Sequence, residues 1–84
     1  MVKIFKYRVC QTQMARVTFV NGRWQGLQIE NADANTLYNS CPMVWEYLES
    51  AGRDGWELVS VVSEGEGMGS PVAANLLFLK KEAS

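Results

Sequence analysis

Apolar residues recur along this chain at two periods, that of a strand and that of a helix. In residues 3–10, KIFKYRVC, Phe5, Tyr7 and Val9 fall on one side and Lys6 and Arg8 on the other. This alternation predicts a half-buried strand. Two β-rich runs, 15–20 and 23–29, flank Asn21-Gly22. Both turn residues accept the positive φ of a type I′ turn, so the pair predicts a hairpin. Gly26 weakens its second strand and marks a bulge. The polar stretch ENADANTLYNS predicts no more than one helical turn after Asp33.

A longer helix is expected from Ser40, with Ser40 or Cys41 as its cap and Pro42 in the first turn, where a missing N–H costs nothing. Val44, Tyr47, Leu48 and Ala51 then form one apolar stripe. Gly52 stands where a left-handed residue would end the helix at Ala51, and Arg53-Asp54-Gly55 would reverse the chain. The next strand opens at Trp56, which is expected to pack against the helix stripe. Strict alternation places Trp56 with Leu58, and Val59 with Val61 on the other face. In the last strand Leu76 and Phe78 oppose Leu77 and Leu79. Strands apolar on both sides require cover on both sides. One helix covers one side, so the other needs the 15–29 hairpin folded across it, or a second copy of the chain. The pattern as a whole predicts one α+β domain over residues 1–84: a small antiparallel sheet with one helix packed on one face and an added β-hairpin.

Length reinforces the expectation of self-association. A domain of 84 residues hides only about 60–65% of its unfolded surface, so a lone core is marginal. No apolar run approaches the ~20 residues of a membrane span. The charged, alternating N-terminus does not read as a signal peptide. Cys10 and Cys41 are the two thiols and histidine is absent. Two cysteines alone make neither a tetrahedral metal site nor a disulfide framework, so two buried, reduced thiols and a cytoplasmic setting are expected, with no metal and no cofactor.

The formal net charge of −1 hides an asymmetry. Residues 1–29 carry Lys3, Lys6, Arg8, Arg16 and Arg23 and no acid, whereas residues 30–66 carry eight acids against Arg53 alone. The basic part faces either an anion or the acidic part of its own or a neighbouring chain. Binding to nucleic acid is disfavoured, because the chain has no overall basic excess.

Four segments carry a resemblance to a known family. Phe5-Lys6-Tyr7-Arg8-Val9, the Leu48 to Gly52 segment, Gly55-Trp56-Glu57-Leu58-Val59 and Leu77-Phe78-Leu79-Lys80-Lys81 resemble the small bacterial and phage proteins called domain of unknown function 4177. The resemblance covers residues 3–10 and 44–81, with the hairpin at 15–29 as an embellishment. It implies a strand–helix–strand–strand scaffold and no established activity.

The chemistry-bearing motifs mostly admit ordinary structural roles. Residues 64–71, EGEGMGSP, are glycine-rich, but Glu64 and Glu66 would repel a phosphate and no Lys or helix follows, so a hairpin loop is expected. Glu46 and Glu49 read as a solvated helix face. Glu57 reads as an ion-pair partner of Lys80, Lys81 or Arg53. No histidine exists to activate a nucleophile, and no catalytic residue is assigned. The candidate ligand-binding residues are Lys6, Arg8, Arg16, Arg23, Trp24 and Trp45, since aromatic rings stack on a planar base and guanidinium forks hold phosphate. The leading reading is a non-enzymatic, self-associating binding module with a small anionic or nucleotide-like ligand near a subunit boundary. Its rivals are a regulator that binds a partner protein through exposed aromatics, and an enzyme of unassigned chemistry.

Overall fold

In the computed structural model, which describes residues 2–64 and 74–83, strand β1 (Phe5–Gln13) turns at Met14-Ala15 into β2 (Arg16–Val20). Asn21 and Gly22, with φ of 50° and 80°, turn β2 into β3 (Arg23–Trp24). The hairpin expected at Asn21-Gly22 is present, and its positive φ pair is the reason. Its second arm is two residues long rather than seven. The chain leaves the sheet at Gln25, whose N–H still donates to Thr18 O at 2.8 Å. At Gly26 a Cβ would meet Ser40 Oγ at 2.5 Å and the Trp24 ring at 2.9 Å, so this glycine permits a close approach of segments rather than a strand bulge.

Two helices follow, and the turn expected after Asp33 is a short helix of its own. Helix α1 (Ala34–Asn39) starts at Asp33, whose carboxylate accepts the Thr36 N–H at 2.7 Å. Ser40 ends this helix and does not cap the next. Pro42 and Met43 run outside any helix: Val17 N–H donates to Pro42 O, Val44 N–H donates to Ala15 O, and Arg16 forms a β-bridge with Met43. Helix α2 (Val44–Arg53) therefore begins later than the proline suggests, with Met43 as its N-cap. Glu46 reaches back to accept the Met43 N–H at 3.2 Å, the return half of a capping box.

The end of α2 also moves. Gly52 lies inside the helix, and the left-handed residue is Gly55, with φ of 93°. Trp56 N–H donates to Ala51 O at 2.9 Å and Gly55 N–H to Gly52 O at 3.0 Å. Those two bonds are the paired closure of a Schellman motif. Asp54 is its C-cap. Trp56 follows as the apolar residue that packs back on the core, and β4 (Glu57–Glu64) opens one residue later than expected. Strand β5 (Ala74–Glu82) completes the sheet.

The sheet is antiparallel and five-stranded, in the order β3-β2-β1-β5-β4. Antiparallel partners share a face, so the registers identify both sides. Arg8, Cys10 and Thr12 stand opposite Leu79, Leu77 and Asn75, and Val20 opposite Cys10. This is the side that α2 covers, and the stripe Val44, Tyr47, Leu48 and Ala51 packs there with Trp56 on Cys10, Val17, Leu77 and Leu79. Thr12 and Thr18 are buried with it. Thr12 Oγ1 accepts the Asn75 N–H and donates to Asn75 O, while Thr18 Oγ1 donates to Gln11 O, so neither hydroxyl is left unpaired.

The side of β1 that carries Phe5, Tyr7 and Val9 thus faces away from the helix, with Leu76 and Phe78 beside it. Tyr7 is 66% exposed. The hairpin extends the sheet at its edge and does not fold across this open face. Strict alternation also fails in β4. Its pairing shifts between Leu58 and Ser60, so Leu58 and Val61 both oppose helix-side residues, Leu79 and Leu77. A bulge at Val59 inserts one residue and resets the parity.

Candidate functional site

Two basic residues of the first thirty come together. Arg8 projects from the helix side of β1, and Arg23 opens β3 just after the tight turn. With Asn21, Gln25, Val20 and Tyr47 they line a concavity of about 530 Å³. The turn brings Arg23 to this place, because two residues suffice to reverse the chain. The turn is itself anchored to β1: Asn21 N–H donates to Val9 O, and Val9 N–H donates to Asn21 Oδ1, both at 2.8 Å.

Arg8 is held in place by its neighbours. Its Nη1 donates to Tyr47 Oη at 2.9 Å, and its guanidinium lies 4.1 Å over the Trp56 ring. A planar cation is favoured against an aromatic face, and the stacking fixes the fork. Among the described residues the ion pairs join Arg53 to Glu49 and Lys81 to Asp54. Neither engages Arg8 or Arg23, and no carboxylate lines their concavity. Arg8 also walls a second hollow with Ser50, Arg53 and Asp54, where the Asp54 carboxylate opposes an anion.

Cys10 lies next along the same side of β1. Burial pushes its thiol up from the ordinary value, against the lowering effects of Tyr47 and Arg8. Burial likewise raises the Tyr47 phenol. Both groups keep their protons at neutral pH, so Tyr47 presents a hydroxyl and Cys10 a thiol. Cys41 is buried too and raised for the same reason, and both cysteines are free.

The other candidate residues are placed elsewhere. Lys6 shares the Arg8 side of β1 but is exposed, opposite Lys81. Arg16 donates to Cys41 O at 2.6 Å and lies 5.6 Å over the Tyr38 ring, tying the α1 region to β2. Trp24 pairs across from Phe19, meets its ring edge-on at 5.4 Å, and donates its indole N–H to Leu27 O. Trp45 projects from α2 and is 61% exposed. Glu57 stands across from Lys80, but the Lys80 ammonium lies 4.9 Å over the Phe5 ring and Lys81 and Arg53 take other acids; the expected ion pair of Glu57 is not formed.

Three lining residues are not among those the sequence singles out as functional. Asn21 reads as a turn residue, Tyr47 as a member of the core stripe, and Gln25 as part of a strand. Tyr47 offered one sign, since a buried tyrosine needs a partner for its hydroxyl. The glycine-rich stretch 65–71 lies outside the described residues. Among the described residues no group of three or more acidic, cysteine or histidine side chains could hold a metal, and no helix is long and apolar enough to cross a membrane. No family model, curated protein or solved structure matches the chain.

Proposed function

We propose that this protein is a non-enzymatic, self-associating binding module that holds a small anionic, nucleotide-like ligand between Arg8 and Arg23. The observation that carries the reading is that Arg8 and Arg23, neither in an ion pair among the described residues, line one polar concavity with no carboxylate in its lining. Guanidinium forks match phosphate oxygens in pairs, and Asn21, Gln25 and Tyr47 add neutral donors and acceptors. Arg8 is preorganised by Trp56 and Tyr47, which lowers the ordering cost of binding. The concavity lies on the helix side of the sheet, away from the open apolar face, so the ligand site proposed here stands within one protomer and not at a subunit boundary.

A cytoplasmic setting accords with the two free, buried thiols. The resemblance to the domain of unknown function 4177 family remains part of the proposal and assigns no activity. Recognition of a partner protein through Trp24 and Trp45 is the weaker reading, because Trp24 is engaged with Phe19 and Leu27 while Trp45 stands alone on α2. Titration with ATP and with inorganic pyrophosphate tests the proposal. Binding should weaken as salt rises, and Arg8→Lys should reduce it more than charge conservation allows, because lysine offers neither the fork nor the stacked plane. Equal binding by the lysine variant would remove the Arg8 part of the proposal.

A further inference from the structure

β4 is a sheet edge whose protection, among the described residues, is limited to the bulge at Val59 and an acid at each end. It pairs with β5 and with no other strand among the described residues. Its eight residues, ELVSVVSE, contain no proline and no lysine, two of the usual devices that block edge pairing. Leu58, Val59, Val61 and Val62 are 41–54% exposed. Two of them, Leu58 and Val61, stand on the helix side and Val62 on the other, so α2 leaves the strand bare on both faces. A partner laid on one face would cover half of these side chains. A partner strand added to the edge would meet both rows and satisfy the free N–H and C=O groups.

We propose that β4 pairs antiparallel with β4 of a second copy, about a two-fold axis near Val61 or Val62, giving a dimer with one continuous ten-stranded sheet. This inference rests on the self-association half of the function proposed above and gives it a surface. Three observations favour a second copy over another partner. The first is closure. The opposite sheet edge, β3, is two residues long, and the outer side of β2 beyond it is taken by Pro42 and Val44. Among the described residues one long edge is therefore available per chain, and using it twice closes the assembly. The second is facing. An axis normal to the sheet pairs like side with like side. Centred on Val61, it sets Ser60 opposite Val62 of the copy, and both are open-side residues; centred on Val62, it sets Val61 opposite Ser63 of the copy, and both are helix-side residues. The third is charge. An axis between Ser60 and Val61 would cross the faces and set Glu57 opposite Glu64 of the copy, a like-charge pair that opposes that register. The registers centred on Val61 and Val62 set neither acid opposite an acid.

The test uses the full chain. Sedimentation at micromolar concentration should show a dimer, and Val61→Lys should convert it to a monomer with an unchanged circular dichroism spectrum. Under mild oxidation, Val61→Cys or Val62→Cys should form a covalent dimer, because directly opposed Cα atoms of such a pair lie ~4.5–5.5 Å apart, within disulfide reach. Cys10 and Cys41 are buried, and Leu27→Cys, exposed on another surface, serves as the negative control. A wild-type monomer would overturn both the inference and the self-association on which it rests. A wild-type dimer that survives Val61→Lys, or that crosslinks at neither position of β4, would overturn the edge pairing and leave self-association through another surface. If Val61→Lys does not fold, the cysteine variants decide the matter alone.

Discussion

At the residue scale, the segment AGRDGWELV shows how one glycine can be read for another. Gly52 and Gly55 both follow the apolar stripe, and either could end the helix. Only Gly55 is left-handed, with φ of 93°. Gly55→Ala should therefore destabilise the fold by about 1–2 kcal/mol through backbone strain, since the nearest obstacle is only the flexible Lys81 chain at 3.3 Å. Gly52→Ala should do the reverse and add about 0.5–1 kcal/mol, because it sits in a helix with nothing within 4 Å of an added Cβ. Chemical denaturation of both variants checks the pair, and equal destabilisation would contradict the assigned closure. Trp56→Ala should cost about 3 kcal/mol, the lower end for a large aromatic, since the ring is only half-buried while it packs on the core and supports Arg8. The same measurement detects it.

At the element scale, the helix stripe, the Asn21-Gly22 hairpin, the helical turn after Asp33 and the alternation of β5 were legible because each depends on local chemistry. The remainder depended on partners distant in sequence. β1 reads as ending at Cys10, yet it continues to Gln13 because Thr12 finds Asn75 across the sheet. The turn after it places Met14 at φ 56°, a conformation that no residue type there announces. Pro42 signals a helix start and instead serves as an acceptor for Val17. The bulge in β4 leaves no mark in a run of valines. The candidate site was half legible: the basic bias pointed to Arg8 and Arg23, while Tyr47, Asn21 and Gln25 join them only through the fold. The α1 cap carries a pH prediction. Hydrogen bonds from Thr36 hold the Asp33 carboxyl below its ordinary value of 3.8. A depressed folded value means that the cap stabilises α1 at pH above the unfolded value and is lost as pH falls through the folded one. The Thr36 amide shift, followed by NMR, should titrate with a midpoint below 3.8, and a midpoint at or above that value would contradict the cap.

At the scale of the whole molecule, the sheet separates two kinds of surface. The helix side buries the core and frames Arg8 and Arg23, while the far edge and open face carry unpaired strand and exposed apolar side chains. Ligand binding and assembly should therefore respond to different substitutions: changes at Arg23 should spare subunit mass, and changes at Val61 should spare anion affinity within a protomer. Arg23 gives the cleaner probe of binding, because it is exposed and forms no ion pair among the described residues, whereas Arg8 also supports Tyr47 and Trp56. The most direct measurement is calorimetric titration of ATP into the wild type and Arg23→Gln at matched low salt. The account predicts saturable binding to the wild type, at least about tenfold weaker in the variant, as expected for loss of a charge-assisted bond worth roughly 1.5–3 kcal/mol, with the melting temperature of the free protein unchanged. No heat of binding to the wild type, or equal affinity in the two proteins, would contradict it.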